Sequence, residues 1–124
     1  MSSGFFHAAF FLIFCSSWTT LKTMKYEIDK TDVFDKWLKK LRDRQAVMAI
    51  AKRLDRVILG NFGDVAPVGE GISEIRIFVG KGYRLYYVIH DNRIVILLCG
   101  GDKSTQKKDI ARAKTLAKTI QEDL

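Results

Sequence analysis

An α+β fold in the order β-α-α-β-β-β-α is predicted by three observations. Between residues 72 and 99, three segments alternate or run apolar with the period of strands. The segments on either side recur at helical period, two before and one after. Only short turn signals separate the three strands, so they form an antiparallel meander. With one further strand near residue 24, the expectation is a helical hairpin and a C-terminal helix packed with a four-stranded, mainly antiparallel sheet.

In chain order, Met24 to Asp29 alternates like a short strand, with Met24, Tyr26 and Ile28 on one face. Thr31 or Asp32 can cap the helix that follows. In that helix Val33, Phe34, Trp37, Leu38 and Leu41 form the apolar stripe, and Asp35, Lys36, Lys39 and Lys40 lie opposite. Asp43 can cap a second helix, whose stripe is Val47, Ile50, Leu54, Val57 and Ile58 and whose outer face carries Lys52, Arg53, Asp55 and Arg56. Gly60 stops it. Residues 60–71 then read as a loop holding Pro67 and four glycines, long enough for a functional or mobile role. Strands are expected at Ile72–Val79, Tyr83–His90 and Arg93–Cys99, joined by Gly80-Lys81-Gly82 and by a two-residue Asp91-Asn92 turn. The last strand, apolar on both faces, belongs inside the sheet. A final helix runs from Ser104, with Ile110, Ala113, Ala117 and Ile120 inward.

The first 23 residues stand apart. Phe5, Phe6, Ala8, Ala9, Phe10, Phe11, Leu12, Ile13 and Phe14 form an aromatic-rich run broken only by His7. It is shorter than the roughly 20 apolar residues that span a bilayer. No Lys or Arg precedes it, and no small-residue cleavage site follows, as a secretory signal would require. The expected reading is a hydrophobic extension at residues 1–23, from a misplaced translation start or disordered, before a working domain at residues 24–124, with an uncleaved hydrophobic anchor as the alternative.

The chain has 124 residues and a net charge of +7. Without the extension it keeps 20 basic and 14 acidic residues, net +6. That balance favours an anionic partner, nucleic acid first. Cys15 and Cys99 make no disulfide framework, and two histidines with no Cys/His/carboxylate cluster exclude metal chemistry at ligand spacing. No metal or cofactor is expected, and the reading is of a reducing, cytoplasmic compartment. His90 reads as a solvated turn residue. Gly101-Asp102-Lys103-Ser104 lacks the glycine that a phosphate-binding loop places before its lysine, and both glycine clusters read as turns.

What remains is a basic trio. Arg76 alternates with Ile75 and Ile77 and shares a face with Glu74 and Phe78. Arg84 shares a face with Tyr86 and Val88 on the next strand. Such antiparallel neighbours lie within about 5–8 Å. Lys103 follows the last strand where a helix N-terminus favours an anion. Together Arg76, Arg84 and Lys103 can hold one phosphate and stabilise a pentacoordinate transition state. A cross-strand ion pair of Glu74 with one arginine is equally open on spacing alone. For RNA the 2′-hydroxyl supplies the nucleophile, so the protein needs a proton acceptor, a proton donor and charge stabilisation. Lys103 or Glu74 is the candidate base, and Tyr83, Tyr86 or Tyr87 can stack on a nucleotide base.

From Met24 to Leu124 the chain resembles the RelE/ParE superfamily of type II toxin–antitoxin toxins, closest to the HigB-like "addiction module killer protein" branch. The resemblance rests on Gly60-Asn61-Phe62-Gly63-Asp64, Gly71-Ile72-Ser73-Glu74-Ile75-Arg76-Ile77, Gly82-Tyr83-Arg84-Leu85-Tyr86-Tyr87 and Leu97-Leu98-Cys99-Gly100-Gly101-Asp102-Lys103-Ser104-Thr105-Gln106, with Asp109-Ile110 and Ala113. It implies a RelE-like fold and a metal-independent endoribonuclease that cuts mRNA on the translating ribosome, held inactive by a cognate antitoxin. It also implies a catalytic set of Arg76, Arg84 and Lys103, with Glu74, Tyr86, Ser104 and Gln106 as substrate-binding neighbours. The ribonucleases of this superfamily commonly offer a C-terminal Tyr or His, and no Tyr or His lies beyond His90 here. A ParE-like gyrase inhibitor and a non-catalytic antitoxin-binding domain are the alternatives.

Overall fold

The computed structural model describes residues 24–123, so the reading of residues 1–23 lies outside the described part. Among those residues the order is β1 (Glu27–Lys30), α1 (Asp32–Lys40), α2 (Arg44–Ile58), β2 (Val65–Gly69), β3 (Ile72–Ile77), β4 (Tyr83–His90), β5 (Ile94–Asp102), a 3-10 turn (Lys103–Thr105) and α3 (Gln106–Asp123). The sheet runs β1-β5-β4-β3-β2 and is mixed, because β1 pairs parallel to β5 while the other pairs are antiparallel.

Capping fixes the start of both hairpin helices. Thr31 Oγ1 accepts from Phe34 N and donates to Leu98 O at 2.6 Å, so one hydroxyl both caps α1 and ties it to β5. Asp43 caps α2 by accepting from Ala46 N at 3.1 Å. Ile50, Leu54, Val57 and Ile58 of α2 and Phe34 of α1 pack on Ile75, Ile77, Leu85, Val95 and Leu97 of the sheet. The opposite face buries Ile72, Tyr86, Ile96, Leu98 and Cys99 beneath Ala113 and Ile120 of α3. The sheet is therefore covered on both sides.

Five expectations need correction. The sheet has five strands, not four, since Val65-Ala66-Pro67-Val68-Gly69 pairs with β3 as an edge strand. An edge tolerates the missing proline N–H, and the pairing slips at Pro67/Gly69. Glu70 and Gly71, at φ 55° and 79°, close a tight hairpin there, which needs left-handed backbone at both positions. Second, β5 does not end at Cys99: Gly100 pairs with Leu85 and Gly101 with Arg84, so these glycines are strand residues. The final helix accordingly starts at Gln106, after the 3-10 turn. Third, β3 stops at Ile77, two residues short of the expected end. Fourth, His90 pairs with Ile94, so the β4–β5 loop holds Asp91, Asn92 and Arg93 instead of two residues. Fifth, Asp35 is buried and not on the outer face of α1, because Lys30 and Lys39 pair with it at 2.8 and 2.9 Å. Its carboxyl is held below the usual range, first by the Lys30 hydrogen bond.

One irregularity sets the faces at the far end of the sheet. Tyr86 pairs with Cys99 and Tyr87 with Leu97, leaving Leu98 as an extra residue in β5. Such a bulge turns two successive side chains to one side, and Leu98 and Cys99 both join the α3 face. Beyond it Gly100 faces α1 and Gly101 faces α3, and each glycine lets a helix approach closely. A Cβ on Gly100 would lie within 2.8 Å of Trp37 Cδ2, and one on Gly101 within 2.7 Å of Asp109 Cγ.

Candidate functional site

On the α3 side, near the end of the sheet where that helix begins, two rows of side chains cross β3, β4 and β5. Arg76, Arg84 and Gly101 make the outer row, and Glu74, Tyr86 and Cys99 make the inner one. Arg76 and Arg84 are direct register partners on neighbouring strands. Their backbones are thus adjacent, while the two guanidiniums engage different carboxylates.

Both arginines hold a carboxylate. Arg84 Nε lies 3.4 Å from Glu74 Oε1, with side chains 12% and 4% exposed. At that separation Nε makes no hydrogen bond. Gln106 Nε2 donates to the same Glu74 Oε1 at 3.2 Å, which joins the first turn of α3 to the middle of β3. Arg76 Nη2 donates to Asp64 Oδ1 at 2.9 Å, and its backbone N donates to Asp64 O. With a third of each side chain exposed, that second pair contributes about 1 kcal/mol or less and exchanges partners readily. Asp64 is a member of this cluster that spacing does not announce; only the return of the chain through β2 carries it to β3.

Lys103 opens the 3-10 turn and is exposed. Its backbone N donates to Gly82 O at 2.9 Å, so the turn is fastened to the start of β4, two residues from Arg84. Asp102 caps the turn by accepting from Ser104 N at 2.8 Å and Ser104 Oγ at 2.5 Å. Those bonds, the hydroxyl's first, keep its carboxyl below the usual range. Ser104 is therefore engaged with its own turn. Thr105 Oγ1 donates to Asp109 Oδ2 at 2.5 Å. Asp109 places a carboxylate in the first turn of α3, where it takes up the positive end of the helix dipole. The helix terminus is therefore already occupied by a carboxylate.

Tyr86 is wholly buried, its hydroxyl without a hydrogen-bond partner. Burial first, then the charges of Glu74 and Asp109, push its phenol well above the ordinary value. The ring is the floor of the site, not part of its surface. Beside it, burial pushes the Cys99 thiol up to about 12, and its Sγ donates to Asp109 O at 3.5 Å. Cys99 is an inert packing group. Replacing Tyr86 by Phe removes a buried hydroxyl that has no partner, so stability is expected to hold or rise by about 1 kcal/mol. Urea unfolding checks this; a loss of similar size would show that the hydroxyl is bonded to a trapped water.

Among the described residues no group of three or more His, Cys, Asp or Glu side chains could hold a metal ion. No described helix is long and apolar enough to cross a membrane. His90 is half-exposed, 3.4 Å from Asp91 Oδ2.

Residues 36–121 match the family described as phage-derived protein Gp49-like (DUF891). An uncharacterized protein of Haemophilus influenzae is 50% identical over 97 residues, covering 78% of this chain and 98% of that protein. No solved structure matches the chain.

Proposed function

The chain belongs to the phage-derived Gp49-like family, and from that premise we propose that it is the toxin of a type II toxin–antitoxin module, an endoribonuclease acting on mRNA at the translating ribosome. The family is related to addiction-module toxins. The motifs from Gly60 to Ala113 narrow the likeness to the HigB-like branch of the RelE/ParE superfamily. The observation that carries the reading is the pairing of Arg76 with Arg84 across β3 and β4, with Lys103 on a turn fastened to the start of β4.

The chemistry follows from the substrate. The 2′-oxygen of the ribose attacks the adjacent phosphorus while the bond from phosphorus to the 5′-oxygen breaks, leaving a 2′,3′-cyclic phosphate and a 5′-hydroxyl. A base takes the 2′-hydroxyl proton, and the 5′-oxygen receives one. No metal is required, because the added charge on the equatorial oxygens meets fixed cations. Arg84, anchored by Glu74, is the pre-positioned donor. Arg76 joins by releasing Asp64. The Glu74 carboxylate is the group that can accept the 2′-hydroxyl proton, and the Lys103 ammonium is the group that can supply the proton the 5′-oxygen receives. Glu74 is held by Arg84 and Gln106, whereas Lys103 is exposed.

A free nuclease of this kind would stop its own host, so a cognate antitoxin is the expected partner, with ribosome and message as targets in the cytoplasm. The test is inducible expression of the chain, begun at Met1 and at Met24 in parallel, with and without the neighbouring gene. Primer extension is expected to show new cuts inside translated frames, suppressed by the partner. Intact transcripts with an SOS response and blocked supercoiling would replace the nuclease by a ParE-like gyrase inhibitor. No growth effect at all would leave a non-catalytic antitoxin-binding domain.

A further inference from the structure

Phe78 is 74% exposed, more than any other large apolar side chain among the described residues. Leaving a phenylalanine in water forgoes the favourable free energy of burying it. Its direction is set by its neighbours. Ile77 and Val79 both pack into the core beneath α1 and α2, so Phe78 between them turns to the other side, the side of Arg76. The turn that follows is closed by Gly82 N donating to Val79 O at 3.0 Å, and Gly82 O in turn accepts from Lys103 N. The ring thus stands at the corner where β3 ends, β4 begins and β5 passes into its 3-10 turn. Arg76, Lys81, Arg84 and Lys103 belong to the same corner, and Lys81 and Lys103 are exposed.

Arg76 and Arg84 hold Asp64 and Glu74, and Lys81 acts on Asp102, so the corner is of mixed charge. The exposed ring beside exposed Lys81, exposed Lys103 and the one-third-exposed Arg76 still suits a strand of nucleic acid. Grooves for single strands combine cations that follow the phosphates with aromatic faces on which unpaired bases stack. Two residues of extended chain span about 6.6 Å, the scale of one nucleotide step, so a phosphate on Arg76 and Arg84 brings a neighbouring base over Phe78. We propose that Phe78 is the stacking platform for an unpaired RNA base next to the phosphate bound by Arg76 and Arg84. This rests on the ribonuclease reading and adds a substrate-positioning residue to it. Stacking is tolerant of base identity, so Phe78 holds the strand in place without choosing its sequence.

The test uses the full chain and a fluorescent single-stranded RNA whose 2′-oxygens are methylated, which removes the nucleophile. Binding is followed by anisotropy, and the same variants are assayed for message cleavage in a cell-free translation reaction. Phe78→Ala is expected to weaken binding about 5- to 150-fold with no change in salt slope, and to slow cleavage in parallel. Phe78→Tyr is expected to behave as wild type and Phe78→Leu as alanine. Arg76→Ala should weaken binding and reduce the salt slope by about one. The exposed ring makes all three Phe78 variants neutral in thermal melting. Wild-type affinity and cleavage in Phe78→Ala, with Arg76→Ala defective, would overturn the stacking role and leave the nuclease standing. Full function in Phe78→Leu would also overturn it, as bulk alone would suffice. Loss of antitoxin capture with RNA binding intact would reassign the ring to a protein interface. If the wild-type chain neither binds the RNA nor cuts the message, the ribonuclease reading itself falls.

Discussion

Arg84→Ala is expected to lower message cleavage at least about a hundredfold, the scale seen when one pre-positioned donor to a developing charge is removed. The same change should destabilise the domain. Glu74 is 4% exposed and Arg84 12%, so truncating the arginine strands a buried carboxylate with Gln106 as its remaining partner. Breaking such a pair costs about 3–5 kcal/mol, a large share of the stability of a small domain. A loss of toxicity in the single variant would therefore be ambiguous. The double variant Glu74→Gln/Arg84→Ala removes the stranded charge with the arginine, and comparing it with Glu74→Gln alone, because Glu74 is itself a candidate base, assigns the further loss of cleavage to Arg84. Urea unfolding should show stability largely restored, while cleavage stays lost. Arg84→Lys keeps a charge but not the planar fork, and should fold with cleavage intermediate between the two. A folded Arg84→Ala chain that still cuts messages would remove Arg84 from the site.

That stability cost marks what the sequence shows and what it leaves out. Alternation along β3 and β4 places Arg76, Arg84, Glu74 and Tyr86 on one face, and the register agrees. Alternation cannot say whether that face meets water. On β4, Tyr83, Leu85 and Tyr87 pack beneath α1 and α2, yet Tyr86 on the other side is equally enclosed. The inward stripe of α3 is legible in Ala113 and Ile120, but the surface it lands on is chosen by the whole fold. The two helices of the hairpin were legible because Thr31 and Asp43 carry local capping chemistry that needs no tertiary partner. β2 was not, since five residues holding a proline and a glycine have no strand pattern of their own and are ordered by β3. Asp64 escaped for the same reason: its link to Arg76 exists only once β2 has paired.

Gly100→Ala is expected to produce the larger structural defect of the two β5 glycines, though Gly100 faces α1 and not the row of Arg76 and Arg84. A Cβ at Gly100 would come within 2.8 Å of Trp37 Cδ2 and closer still to Cε3 and Cζ3, so the indole lies flat against bare backbone. Trp37 cannot simply swing aside. It packs against Phe34 at 5.7 Å and Tyr83 at 6.4 Å between ring centroids, and displacing it lifts α1 from β5. Overpacking of this kind costs about 1–3 kcal/mol, occasionally more. For a domain of this size that lowers the melting temperature by roughly 5–20 °C. At Gly101 the added Cβ would instead strike the Asp109 carboxylate and approach Thr105 Oγ1 at 2.9 Å. These are the ends of rotatable side chains, so Gly101→Ala should cost less, with the Thr105–Asp109 hydrogen bond as the main loss. Trp37→Leu combined with Gly100→Ala should be less destabilised than the sum of the two single changes, because the smaller side chain vacates the space the methyl enters. Strict additivity, or a Gly100→Ala chain that melts like wild type, would mean that the indole is not seated on the strand. Cleavage per folded molecule, measured well below the melting temperature, should change little in Gly100→Ala. A large drop there would mean that the seating of Trp37 also sets the position of Lys103 at the end of β5.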